Sequence, residues 1–170
     1  MSCKLILSIR NGIGVLAISA AVALGLITAQ EASGQKKTVE GVWRVRIVPR
    51  NCTTGVPIPG AESQALYTFH MDGTMSAWTQ NSTITTTRSP SHGLWKREHG
   101  WSDYSFKFLH LRYSGSTGMY LGKQEGSGTL VLSESGDEFT TDGSATVFDV
   151  NDIPGTPGCS NSFGTRFKLD

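Results

Sequence analysis

Strict alternation of apolar and polar residues is what most limits how this chain can fold. Trp43, Val45 and Ile47 alternate with Arg44 and Arg46, the period-2 pattern of a strand with one face buried and the other in water. Tyr67 and Phe69 repeat it within 65–71, and Asp72-Gly73 then supplies a tight hairpin turn into 74–80. Further strands are predicted at 92–97, 104–113, 119–124, 129–134, 144–150 and 163–169, with Gly136-Asp137 and Asp142-Gly143 as punctuation between the later ones. Gly126-Ser127-Gly128 reads as a flexible turn, and most of the 20 glycines are assigned to turns of this kind. Within 104–113, Phe106 and Phe108 favour one face while Leu109, Leu111 and Tyr113 favour the other. Either a bulge flips the phase near Leu109 or this strand is covered on both sides. No window carries a helical stripe of useful length, so the class is all-β.

Eight or nine short strands in a meander must dispose of their edges by closing into a barrel or by stacking as two sheets. The first and last strand-like segments lie at the two ends of the alternating region. Cys52 follows the first and Cys159 precedes the last, so both features bring the ends together and favour an antiparallel up-and-down barrel of about eight strands. A sandwich remains the alternative, although the Trp and Cys spacing does not match an immunoglobulin domain.

Residues 1–34 are set apart from this domain. Lys4 and Arg10 form a basic start, Gly12 to Ala29 is almost wholly apolar, and Gln30-Glu31-Ala32-Ser33-Gly34 is small and polar, the pattern of a secretory signal peptide cut after Ala29 or Gly34. An uncleaved anchor is the competing reading, since about 18 apolar residues approach the length that spans a bilayer. Residues 35–40 read as a flexible lead-in and 41–170 as the barrel domain. The 15 basic and 14 acidic residues lose Lys4, Arg10 and Glu31 with the signal, which leaves a neutral remainder. Neutrality gives no footprint for nucleic acid and no pull toward anionic lipid, and no stable membrane insertion is expected once the signal is removed. Export implies an oxidising compartment, secreted or periplasmic, in which Cys52 and Cys159 form a disulfide.

Gly41-Val42-Trp43 on the first strand, with Arg166 in Gly164-Thr165-Arg166-Phe167 on the last, resembles the lipocalin and calycin superfamily. The resemblance implies that Trp43 closes one barrel end and that Arg166 packs across it, a guanidinium over an indole gaining cation–π attraction while staying partly solvated. The cadence of Tyr67-Thr68-Phe69, Asp72-Gly73-Thr74 and Gly93-Leu94-Trp95 is similar to lipocalin-like proteins of bacterial envelopes and secretomes. The second lipocalin signature, a Thr-Asp-Tyr-like step, is absent.

An eight-stranded barrel is either filled by side chains or just wide enough for one small ligand. Inward candidates from the apolar phase are Val45, Ile47, Tyr67, Phe69, Trp95, Phe106 and Phe108. Of these, Tyr67, Phe69, Trp95, Phe106 and Phe108 would form the wall for a small hydrophobic or amphipathic ligand, because aromatic walls suit such molecules. His70, His92, His99 and His110 match no metal-ligand spacing, and no metal or cofactor is expected. No nucleophile elbow or phosphate loop occurs, so no catalytic residue is assigned. Asp149-Val150-Asn151-Asp152 is expected to be a turn, 79–91 an exposed polar loop at a barrel mouth, and His110 a buried histidine bonded to backbone. Three functions fit: a ligand-binding barrel, an interaction protein with a filled barrel acting through its loops, and an isomerase resembling allene oxide cyclases. The last would need an ionisable group such as His110 or Tyr67 facing a cavity.

Overall fold

The computed structural model describes residues 37–79 and 86–169; the expected signal at 1–34 lies outside the described residues, as does 80–85 of the polar run. The described chain is all-β, with strands β1 (Gly41–Arg50), β2 (Ser63–Phe69), β3 (Thr74–Thr79), β4 (Thr86–Arg88), β5 (Ser91–His99), β6 (Asp103–Ser114), β7 (Tyr120–Leu132), β8 (Glu138–Phe148) and β9 (Gly158–Arg166). Every pairing is antiparallel, and β9 returns to β1 with Trp43 opposite Arg166 and Arg50 opposite Cys159. The sheet therefore closes on itself as an up-and-down barrel, and closure is what removes its edges.

Nine strands fill eight positions. β4 pairs with residues 112–114 of β6 and β5 with 103–109, so the two lie end to end along one neighbour. Pro90 separates them because it has no N–H to give the ladder. Around it, the Ser89 amide donates to Leu111 O and the Leu111 amide to Ser89 Oγ, which carries the pairing across the gap.

Two expected turns are strand interior instead. β7 runs unbroken through Gly126-Ser127-Gly128, and β8 runs through Asp142-Gly143. Packing explains the glycines: a Cβ on Gly126 would stand 2.4 Å from Cζ of Phe108, and one on Gly128 would stand 2.6 Å from Asp142 O and 3.1 Å from Phe106. These positions are bare so that the rings of β6 can lie flat against the neighbouring wall. The phase of β6 does not flip at Leu109. Tyr104, Phe106 and His110 are buried on the inner face, Leu109 is exposed, and the irregularity comes later, between Arg112 and Tyr113.

The core occupies one end. Trp43 and Val39 are fully buried there with Phe69, Met75, Tyr104, Leu130, Leu132 and Phe139, each large side chain contributing about 1.5–3 kcal/mol by leaving water. Arg166 spans this end with its guanidinium carbon 4.2 Å from the Trp43 ring centroid. It donates to Thr38 O and Glu40 O at 2.6 Å and to Gly136 O at 2.9 Å. Trp43 Nε1 donates to Val39 O at 2.8 Å, so residues 38–40 of the expected lead-in are fastened across the floor. Gly41 has φ +121°, and a Cβ there would meet Arg166 Nη1 at 3.0 Å; both facts demand glycine two residues before the tryptophan. At the far end of the same β1–β9 seam, Cys52 and Cys159 form a disulfide with Cα atoms 5.2 Å apart.

Candidate ligand-binding cavity

Inner residues of the other half of the barrel are small or polar, and they leave space. Ala77 on β3, Gly143 and Ala145 on β8, and Ser160 and Ser162 on β9 face Phe106 and Phe108 of β6 across a cavity of about 380 Å³. That falls within the ordinary range of small-molecule sites, about 300–1,000 Å³. The cavity opens at the end that carries the β1–β2 loop (51–62) and the β8–β9 loop (149–157). Asp149 Oδ1 accepts from the Asn151 and Ile153 amides, so the second of these loops contains the expected turn. Val56, Ile58, Val150 and Ile153 of these loops are exposed, giving the mouth an apolar rim. A second hollow, of about 510 Å³, lies on the outer wall across β5–β8 beside Leu94, Leu109 and Phe148; it is an open groove rather than a chamber.

Strand periodicity places the chemistry. Residues at i, i+2 and i+4 of β6 put Phe106, Phe108 and His110 in a column, with neighbouring rings stacked at centroid distances of 6.4 and 6.3 Å. His110 Nδ1 lies 3.3 Å from Ser91 Oγ, both side chains buried, so its partner is a hydroxyl and not the expected backbone group. Burial, with Arg88 and Arg112 nearby, pushes the His110 pKa down to about 4, while a bond to Gln124 opposes the shift. Burial likewise pushes Tyr67 up to about 12, against the pull of the Ser162 hydroxyl and the Arg88 charge. Both rings are therefore neutral at pH 7. Arg88 of β4 lines the cavity, its pKa lowered by burial and by Arg112, with Tyr67 opposing.

Of the five aromatic residues expected on a ligand wall, Tyr67, Phe106 and Phe108 line the cavity. Phe69 and Trp95 do not: they lie at the packed end, 6.1 Å apart by ring centroids, with Trp95 Nε1 donating to His70 O. The reason is axial position, since Phe69 ends β2 beside the floor whereas Tyr67 sits one inward step nearer the mouth. Trp43 and Arg166 stack on each other at the packed end, away from the cavity.

No family model and no curated protein matches this chain.

Sequence reasoning missed Arg88, Ser91, Gln124, Thr141 and Ser162 on the lining. Arg88 and Ser91 fall within the expected exposed loop at 79–91, yet Ser91 is buried. A usable signal existed in β6: continuing the Phe106–Phe108 phase by twos reaches His110 and Arg112.

Proposed function

We propose that this barrel acts outside the cytoplasm as a binding protein for a small amphipathic molecule, in the manner of lipocalin-like carriers. One observation carries the reading: the half-hollow interior, about 380 Å³ with an aromatic column on one side and hydroxyls on the other. At about 30 Å³ per water-sized group, it holds on the order of a dozen non-hydrogen atoms. The Cys52–Cys159 disulfide supports an oxidising location. The titrating groups favour binding over isomerisation, because His110 near 4 and Tyr67 near 12 are both moved away from the neutral range suited to proton transfer.

Native mass spectrometry of the purified protein tests the reading. The expected spectrum contains a small bound molecule, or takes one up when decanol is added, and loses it on denaturation. Ala145→Trp fills the chamber from its wall and abolishes uptake. It costs less than the roughly 1–3 kcal/mol typical of an overpacked core, because the ring enters empty space. Uptake that survives Ala145→Trp, or no uptake at all, overturns the reading.

A further inference from the structure

We propose that the molecule held in this cavity is flat, an aromatic or conjugated system of one or two fused rings that lies face-on over Phe106, Phe108 and His110. This rests on the binding reading above and deepens it by fixing the shape of the ligand.

The three rings form one level layer. Their planes differ by 11° between Phe106 and Phe108 and by 7° between Phe108 and His110, with centroids 6.4 and 6.3 Å apart. Parallel rings at such separations stand either face over face with a gap or side by side, and Gly126 decides between the two. A Cβ there would lie 2.4, 2.6 and 3.1 Å from Cζ, Cε1 and Cε2 of Phe108, a position over the face of the ring and not beyond its edge. Because a Cβ on the inner face rises roughly perpendicular to the sheet, the ring lies parallel to the sheet. One face of Phe108 therefore rests on the β7 backbone, and the other is turned to the chamber that the residue lines. Gly128 makes the same room for Phe106, whose Cζ would be 3.1 Å from a Cβ there.

The wall beside this layer stays low. Across the ladders Phe106 is followed by Gly128, Gly143 and Ser160, and Phe108 by Gly126, Ala145 and Gly158. No side chain in these two rows of β7, β8 and β9 is longer than serine, so nothing there stands in the way of a plate laid on the rings. A flexible chain has no need of a level surface. A flat ring system does, because only there do all the atoms of its face reach the contact distance of about 3.5–4.0 Å together. Offset stacking then adds roughly two- to tenfold in affinity per ring pair beyond the area buried. Ser91, Gln124, Thr141 and Ser162 in the same lining supply uncharged donors and acceptors for a hydroxyl or ring nitrogen on the ligand's edge.

Isothermal titration calorimetry on the intact protein at pH 7 tests the inference with 2-naphthol, decahydro-2-naphthol and decanol. The three have the same number of non-hydrogen atoms and one hydroxyl each, but only the first is flat. 2-Naphthol is expected to bind about fivefold more tightly than its saturated counterpart, although the saturated ring is the more hydrophobic. Nuclear magnetic resonance of the complex should show the naphthol protons moved upfield, as shielding above the Phe106 and Phe108 faces requires. Phe108→Leu keeps an apolar wall without the flat face and should remove most of the preference while changing decahydro-2-naphthol affinity by less than about twofold. The comparison on the unaltered protein needs no variant, so poor folding of Phe108→Leu does not blunt the test. Equal affinity for the two ring alcohols, tighter binding of the saturated one, naphthol signals that do not move upfield, or uptake of decanol alone overturns the flat-ligand assignment and leaves the binding reading intact. Binding of none of the three overturns the binding reading itself, and this inference with it.

Discussion

Replacing Arg166 by methionine removes a cross-brace while keeping most of its length. Three hydrogen bonds from a charged donor are lost, to Thr38 O, Glu40 O and Gly136 O, together with the contact 4.2 Å over the Trp43 ring. Bonds to charged donors contribute about 1.5–3 kcal/mol each, and a partly buried cation–π contact about 0.5–2 kcal/mol. The Arg166 side chain is 18% exposed, so water reaches some of the abandoned carbonyls and recovers part of the loss. At their low ends these terms sum to about 5 kcal/mol, and with that recovery the expected cost of Arg166→Met is about 3–4 kcal/mol, a large fraction of the roughly 5–15 kcal/mol that holds a typical domain folded. Arg166→Lys keeps the charge without the fork and should recover half or less. Urea denaturation followed by far-UV circular dichroism gives the numbers, and a cycle with Trp43→Leu isolates the pair, whose coupling should be about 0.5–2 kcal/mol. A cost below about 1 kcal/mol for Arg166→Met, or additive effects in the cycle, would refute the claim that Trp43, Arg166 and residues 38–40 close the barrel as one unit.

Acid should weaken the fold through His110. Its folded pKa of about 4 lies below the ordinary 6.5, so the unfolded chain takes up the proton first and stability falls between pH 6.5 and 4. The full shift corresponds to about 3 kcal/mol, which solvent reaching the cavity screens to about 1–2 kcal/mol. Denaturation at pH 7 and 4.5 should show wild type losing that much more than His110→Gln, and equal losses would contradict it. Gly126→Ala pushes a Cβ into the Phe108 ring and should cost about 1–3 kcal/mol while weakening decanol binding by disturbing the aromatic column; a neutral result in both assays would count against that packing. Replacing both Cys52 and Cys159 by serine opens a crosslink between residues 107 apart and should cost up to about 4–5 kcal/mol in thermal or urea unfolding. A loss under 1 kcal/mol would mean that the seam is held by its ladder alone.

Much of the barrel was legible because alternation is local. Trp43, Val45, Tyr67 and Phe69 announce their inward phase within a few residues, and the Gly-x-Trp step with Arg166 marks the closure. The site was less legible because it depends on depth along the barrel axis, which alternation does not encode. Phe69 and Tyr67 share a phase, yet one seals the floor and the other lines the chamber. Glycine misled for a related reason. Gly126 and Gly128 look like a turn in sequence, and only the neighbouring strand, which brings Phe108 and Phe106 against them, explains their bareness. Arg88 was hidden because Pro90 interrupts its strand and the surrounding Thr and Ser residues read as loop.

The central claim is that one half of this barrel is a chamber for a small molecule and the other half is solid. Nuclear magnetic resonance with assigned aromatic and methyl signals, recorded while decanol is added, tests it most directly. The account predicts saturable shifts at Tyr67, Ala77, Phe106, His110 and Val147 with little change at Trp43, Phe69 and Trp95. Shifts confined to the outer groove at Leu94, Leu109 and Phe148, or no saturable shift anywhere, would contradict it.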